Sequence, residues 1–430
     1  MRDKTRRSIC RLAFCMLCLL PTAGIGGLIL YRSTPVYAAA ERVYWQHLLH
    51  AHTGLTARVG SVRRPRRGDV LLDQVTLTDP DSGRRLARVR LVEMAWTDHG
   101  LVMLLSQPEI EAGQFQRLWS LFHHRVLRAG ELPMAVQLSA AELTLHATPH
   151  ALTFTEVRCT AESSAKITKT LIEFRVAGAE MTSPAQLQIV RGREVYPPVT
   201  GWRLRTGPTP LPCSLFAGYC RPLERLGSDC RFHGTIWAEE TTQGWDGEIA
   251  GRFDQVDLQA LMDPFPHKLS GMAEIVFNQA TFRGSRLQDV AGSLIAHGGV
   301  ISTSLVTRLG DVFQLPVDSG LEESQEPLHA YQQLAVGFQL DADGMHISGL
   351  CDTATTGALL VGPEGTMLSD SLHAVVPAVA LAQALSPDAD LQVPATKETH
   401  LLLRALPLPG VRPSAPLTAK KRYTRLRLKK

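Results

Sequence analysis

The sequence lacks the short motifs that carry the most familiar enzymatic chemistries. It contains no G-x-x-x-x-G-K-[ST] phosphate loop, no H-E-x-x-H zinc helix, no G-x-S-x-G nucleophile turn and no G-x-G-x-x-G dinucleotide turn. The match to S-x-x-K at 163–166 has only two fixed positions, a pattern that is common by chance. We therefore predict that the protein is not an enzyme and uses no cofactor. A hydrolase with a site assembled from distant residues is the alternative.

Spacings typical of metal ligands are also lacking in the body of the chain. Cys213, Cys220 and Cys230 have no C-x-x-C spacing among them and no fitting histidine pair beside them. His123 and His124 are adjacent, and adjacent residues of a helix point about 100° apart, so they are poor joint ligands. We predict no metal site.

Formal charge is absent from Leu12 to Tyr31, after eleven residues that carry five basic residues and one acid. A helix of this length spans about 30 Å, the thickness of the hydrocarbon core of a bilayer. The segment predicts a transmembrane anchor, and the preceding basic residues predict a cytoplasmic N-terminus with the rest of the chain across the membrane. A cleaved signal peptide is the alternative, because Ala38, Ala39 and Ala40 form an A-x-A site.

Acidic residues are absent from the last twenty positions, which carry eight basic residues. Without these twenty and the first eleven, 32 of the 45 basic and 40 of the 41 acidic residues remain, so the body is mildly acidic and no nucleic-acid partner is expected. Two basic clusters predict contacts with anionic lipid head groups. They comprise Arg63, Arg64, Arg66, Arg67, Lys420, Lys421, Arg422, Arg425, Arg427, Lys429 and Lys430.

Five of the eight cysteines lie beyond the apolar segment. Export of this part of the chain would permit disulfides, and Cys213, Cys220 and Cys230 are close enough in sequence to pair. Because five is odd, at least one of these thiols stays free or pairs between chains. Buried, reduced thiols are the alternative interpretation.

Alternation of apolar and polar residues is the recurring pattern of the body. The segment "DVLLDQVTLTD" (69–79) has Val70 and Leu72, then, after one phase shift, Val75 and Leu77 at alternate positions, which is typical of a strand. Similar segments follow, and they predict an antiparallel, mainly β body with few helices. Strands are predicted near 133–139, 141–147 and 151–159, and helices near 36–53, 101–105, 114–127, 256–262 and 302–313.

Two segments resemble AsmA-like proteins. Residues 52–96, "HTGLTARVGSVRRPRRGDVLLDQVTLTDPDSGRRLARVRLVEMAW", are similar to the family's entry from its membrane helix into its first strands, and the likeness continues to about residue 110. Residues 245–310, which begin "WDGEIAGRFDQVDLQALM", resemble the family's C-terminal region. The resemblance implies an elongated, curved sheet with an apolar, groove-like face, in the periplasm of a Gram-negative bacterium.

The resemblance also implies a function. We expect a single-pass protein of the inner membrane that carries phospholipid between membranes or acts in outer-membrane biogenesis, with acyl chains held in the apolar groove. The alternative is a non-enzymatic scaffold that binds other envelope proteins. The chain is short for the family, which favours a partner or an oligomer over a bridge made by one copy. The predicted organisation is a basic N-terminus (1–11), the anchor (12–31), the AsmA-like body (32–315, with 245–310 as its C-terminal segment), further strands (316–393) and a disordered, Pro-rich then basic tail (394–430).

Overall fold

The fold is mainly β, as the alternating pattern predicts, and it is seen in a computed structural model. The chain forms two compact units, Met1–Ser164 and Ala165–Lys430, here called unit 1 and unit 2. Twenty strands and a few short helices follow the N-terminal helices within the described residues. The structure describes residues 12–66, 68–98, 100–111, 127, 135–146, 151–164, 166–178, 183–194, 196–208, 210–214, 221–319, 326–352, 356–371, 375–386 and 396–407.

Two helices open unit 1. Helix α1 (Leu12–Arg32) includes a π-helical segment, has a mean hydropathy of 2.1 and is long and apolar enough to cross a membrane, a test that a signal sequence also meets. Helix α2 (Pro35–Thr53) begins where the Thr34 hydroxyl accepts from the backbone N–H of Tyr37. It ends at Gly54, whose φ of 75° a residue without a side chain adopts readily.

The sheet of unit 1 is mixed. Strands β3 to β7 lie side by side in chain order, and the short β1 and β2 both pair with β3. The β5–β6 pair is parallel, whereas every other strand pair described in this unit is antiparallel. The strands are β1 (Thr56–Arg58), β2 (Ser61–Arg63), β3 (Asp69–Thr78), β4 (Arg85–Thr97), β5 (Gly100–Glu111), β6 (Val136–His146) and β7 (Leu152–Ser163).

The sheet of unit 2 is antiparallel in all its described pairs. Its order is β8-β9-β10-β12-β13-β14-β15-β16; β11 pairs with β12, β16 with both β17 and β18, β18 with β19, and β17 with β20. The strands are β8 (Ile167–Val176), β9 (Ala185–Gly192), β10 (Val199–Arg205), β11 (Leu211–Pro212), β12 (Arg231–Thr241), β13 (Gly244–Asp257), β14 (Met272–Arg283), β15 (Arg286–Ser302), β16 (Leu328–Leu340), β17 (Met345–Gly349), β18 (Ala358–Gly362), β19 (Gly365–Ser369) and β20 (Val375–Val376).

The helices of unit 2 are short and lie at strand ends. Three of the predicted helices are confirmed. The prediction at 36–53 corresponds to α2 of unit 1, the one at 256–262 to α3 (Leu258–Met262) and the one at 302–313 to α4 (Thr303–Phe313). Asp257 caps α3, and its carboxylate accepts from the backbone N–H groups of Gln259 and Ala260 in the first turn. The helices are α3 (Leu258–Met262), α4 (Thr303–Phe313), α5 (Val379–Ala384) and α6 (Lys397–Ala405), with a 3₁₀ helix at Arg221–Leu226.

Three local predictions are wrong. The predicted helix at 101–105 is part of β5, because hydrogen bonding to both neighbours outweighs the helical appearance of five consecutive apolar residues. The predicted strands 133–139 and 141–147 are one strand, β6. The tail predicted to be disordered from 394 begins with α6, whose N-cap Thr396 forms a reciprocal cap with Thr399. The predicted helix at 114–127 lies outside the described residues, except for Leu127, which is buried.

Candidate functional site

Five consecutive strands of unit 1 repeat one apolar spacing. From β3 to β7, apolar residues occupy positions n, n+2, n+5 and n+7, starting at Val70, Ala87, Met103, Leu138 and Leu152. The strand register aligns these repeats, so that their side chains share one side of the sheet. We call this side the unit 1 apolar face.

The step of three within each repeat marks a line of irregular pairing across the sheet. At this step Gln74, Gln107 and Glu156 adopt φ values of 49°, 50° and 51°, and all three side chains are exposed. The facing strand takes the same step, so Asp73↔Leu91 is followed by Val75↔Val89 and the register is unchanged. One unpaired residue in each strand thus returns the following apolar residues to the side that they would otherwise leave. The phase shift predicted within 69–79 is confirmed at Gln74.

Helix α2 covers part of the unit 1 apolar face. Its Trp45 side chain is only 5% exposed and joins the buried cluster of Val70, Leu72 and Val92. The Trp45 and Trp96 ring centroids are 6.5 Å apart. Met103, farther across the sheet, is only partly buried against this cluster. The helix that follows the candidate anchor is therefore docked on the sheet, and part of the apolar face beyond it is accessible.

Unit 2 has a longer apolar face. Directly opposed residues of ten successive strands form one uninterrupted apolar row across its sheet. The row consists of Ile172, Leu187, Leu204, Ile236, Ile249, Ala280, Val290, Leu340, Met345 and Val376. We call the side of the sheet that carries this row the unit 2 apolar face.

Aromatic rings form a second line on the unit 2 apolar face. Phe232 and Phe253 have ring centroids 4.8 Å apart, Phe253 and Phe277 are 6.0 Å apart, and Phe277 and Phe338 are also 6.0 Å apart. These distances are in the range of favourable offset and edge-to-face ring pairs. The first two rings are buried, whereas Phe277 and Phe338 are half-buried.

The two ends of the unit 2 apolar face differ in exposure. Near the ends of β13 to β15 that adjoin α3 and α4, Val256 and Ala296 are fully buried, and residues from α3 to α6 belong to the same core. Farther from these helices, Ile249 of β13, Leu294 of β15 and Val336 of β16 are only half-buried. The face is thus closed by helices at one end and partly accessible at the other.

The opposite side of the unit 2 sheet is polar where β13 and β14 meet. Arg252 Nε lies 2.8 Å from Asp254 Oδ1, and Arg252 Nη1 lies 3.8 Å from Glu274 Oε1. These side chains alternate with Phe253 and Ile275 of the apolar face. The sheet is therefore amphipathic where these two strands meet.

The basic cluster at 63–67 is engaged within unit 1. Arg63 forms a bidentate ion pair with Asp73, in which Nη2 lies 2.9 Å from Oδ1 and Nε lies 3.0 Å from Oδ2. The Ser61 hydroxyl and then Arg63 hold the pKa of the Asp73 carboxyl below its usual value. Arg64 pairs with Glu41 of α2. Arg66 is exposed, whereas Arg67 and the basic residues at 420–430 lie outside the described residues.

Two of the three cysteines predicted as disulfide candidates are brought together. Cys213 and Cys230 are both buried, and a hydrogen bond joins their side chains in the structure. That hydrogen bond, followed by burial, raises the pKa of Cys213. Cys220 lies outside the described residues.

One polar cluster was missed by sequence reasoning. His267 is buried, and its Nδ1 lies 3.0 Å from Ser304 Oγ of α4, which in turn donates to Ser302 Oγ at 3.1 Å. Burial, and secondarily the charge of Arg308, lowers the pKa of His267. Only a hydroxyl-rich helix start ("STS") signals the contact in the sequence. The cluster joins the loop before β14 to the start of α4, and this makes it a structural link.

The described residues contain no group of three or more His, Cys, Asp or Glu side chains arranged to hold a metal ion. His123 and His124, which the sequence predicts to be poor joint metal ligands, lie outside this part of the chain.

Comparisons with protein-family models, curated proteins and solved structures gave no match to this chain. The two apolar faces and the N-terminal helix are therefore the features of the chain that bear on its function.

Proposed function

We propose that this protein is a membrane-anchored lipid-handling protein of the cell envelope that holds acyl chains against its apolar sheet faces. The ten-strand apolar row of unit 2 is the observation that carries this proposal. With strands about 4.8 Å apart, ten strands extend for about 40 Å along the sheet. The accessible part of this row runs from β8 to β13, where Ile172, Leu187, Ile236 and Ile249 are half-buried, and the other six residues of the row are buried. An accessible apolar strip about 20 Å long suits a flexible, unbranched apolar chain better than a compact ligand.

The energetics favour such a ligand. Half-buried Ile249, Leu294 and Phe338 leave apolar surface in contact with water. Covering that surface is worth about 25 cal/mol for each Å², and each buried methylene of an acyl chain contributes about 0.8 kcal/mol. A phospholipid placed along the row would therefore gain several kcal/mol without any specific polar contact. This explains how a protein could bind lipid with no conventional site motif.

The N-terminal helix supports a location at the inner membrane. We propose that α1 remains as a single-pass anchor, with the basic N-terminus in the cytoplasm and the body in the periplasm of a Gram-negative cell. Ala38 to Ala40 lie in the first turns of α2, so cleavage after Ala40 would remove the Thr34 cap and the start of a helix that Trp45 docks on the sheet. The AsmA-like resemblance points to the same place and to lipid transport or outer-membrane biogenesis.

The test compares two adjacent residues of β15. Leu294 belongs to the unit 2 apolar face and Ile295 to the opposite side, and both are half-buried. Full-length protein extracted from membranes should carry phospholipid in native mass spectrometry. Leu294→Gln should lower lipid affinity by about tenfold, because about 1.4 kcal/mol of apolar contact is lost, whereas Ile295→Gln should have little effect. Lipid-free wild-type protein, or equal effects of the two variants, would contradict the proposal.

A non-enzymatic scaffold is the second candidate function. The exposed apolar surface of unit 2 would then be covered by another envelope protein or a second copy of this chain. Crosslinking in intact cells separates the two proposals. Stoichiometric protein adducts without lipid adducts favour the scaffold.

A further inference from the structure

We propose that Cys213 and Cys230 form a disulfide in the mature protein, and that Cys220 takes no part in it. The two residues face each other across the β11–β12 pair, whose register Leu211↔Phe232 and Pro212↔Arg231 continues directly to them. The backbone N–H of Cys213 donates to the carbonyl of Cys230 at 2.8 Å. Directly opposed, hydrogen-bonded residues of antiparallel strands have Cα atoms about 5.5 Å apart, within the 4.4–6.8 Å range of disulfides.

The side chains satisfy the second requirement, which is that they point toward each other. Both are essentially fully buried, at 1% and 0% exposure, and their thiols are in hydrogen-bonding contact. They lie in the same core as Phe232 and Phe253. Pro212 stands between Leu211 and Cys213, so its lack of an N–H removes no bond that the Cys213–Cys230 pair needs. The backbone separation typical of such a pair is therefore one that a disulfide can bridge.

Formation of the bond requires an oxidising disulfide from outside the protein. A thiolate of one cysteine attacks a small-molecule disulfide RSSR, forming a mixed disulfide and releasing one RSH; the second cysteine then displaces the second RSH. Two protein thiols and RSSR thus yield one protein disulfide and two RSH. Because burial and the neighbouring thiol raise the pKa of Cys213 in the folded chain, exchange is expected during folding and not afterwards. Such a bond persists only on the exported side of a membrane.

The inference is tested on full-length protein expressed in a bacterium with an oxidising periplasm, denatured and alkylated without reductant. Trypsin leaves Cys213 and Cys220 in one peptide because no Lys or Arg lies between them, so chymotrypsin, which cuts after Phe216 and Tyr219, is used to separate them. The expected product is a 213–230 linked peptide with alkylated Cys220. Free Cys213 and Cys230, or a link to Cys220, would overturn the inference.

A stability measurement gives an independent readout. Reductant should lower the Tm of the wild-type protein by about 5 °C or more, since the bond closes a loop of about 15–20 residues. Cys213→Ser, Cys230→Ser and the double variant should all have the lowered Tm, and reductant should not lower it further. Cys220→Ser should have the wild-type Tm, and reductant should lower it as in the wild type. A wild-type Tm that is the same with and without reductant would contradict the inference.

Discussion

Removal of the Trp45 side chain should release α2 from the unit 1 sheet. Trp45 is 5% exposed and packs on Val70, Leu72 and Val92. Truncation of a buried tryptophan to alanine costs about 3–5 kcal/mol. If the loss is confined to the docking of α2, the amide protons of residues 36–53 should exchange about 100- to 4000-fold faster in Trp45→Ala than in the wild type.

Two matched variants separate this packing effect from other causes. Tyr44, next in sequence, is 58% exposed, and Tyr44→Ala should cost less than about 1 kcal/mol. The indole N–H of Trp45 has no acceptor within the described part of the chain, so Trp45→Phe should retain most of the protection. Hydrogen exchange with mass spectrometry on the full-length protein measures all three. Unchanged exchange of α2 in Trp45→Ala would refute the proposed docking.

Two further predictions concern a strand irregularity and a buried histidine. Gln74→Gly should raise the stability of unit 1 by about 0.5–1 kcal/mol, because Gln74 has φ 49° and an exposed side chain, whereas Gln74→Val should lower it. A thermal melt that reverses this order would contradict the left-handed backbone at Gln74. His267 has a lowered pKa when folded, so its contribution to stability is complete above about pH 6.5 and is lost as the pH falls toward the folded-state pKa. Between pH 8 and pH 5.5 the Tm should therefore fall less steeply in His267→Asn than in the wild type. The control is His297→Asn, a variant at an exposed position, whose Tm should fall as steeply as that of the wild type. The same dependence of Tm on pH in all three proteins would contradict this prediction.

Much of the β architecture was predictable from local pattern. The step from Leu72 to Val75 is visible in the sequence as a phase shift, and the structure explains it by a residue in the left-handed region. The helix-to-strand entry at Thr53–Thr56 and the start of α3 were also predictable, because Gly54 and Asp257 are typical residues at the end and the start of a helix.

Other features depend on long-range pairing that no local pattern encodes. The segment "LVMLL" is helical by composition, yet hydrogen bonds to β4 and to the parallel β6 make it a strand. The choice among Cys213, Cys220 and Cys230 needs the β11–β12 register, which spacing alone cannot supply. The half-exposed condition of Leu294 and Phe338 likewise depends on where the helices of unit 2 end.

Lipid photocrosslinking tests the central claim most directly. Full-length protein in bilayers would be irradiated with a phospholipid that carries a photoreactive group on its acyl chain, and the adducts would be mapped by mass spectrometry. The account predicts adducts on Ile249, Leu294 and Phe338, and few on Ile295 or Gln339, which face the other side of the sheet. Adducts confined to α1, or spread equally over both sides of the sheet, would contradict it.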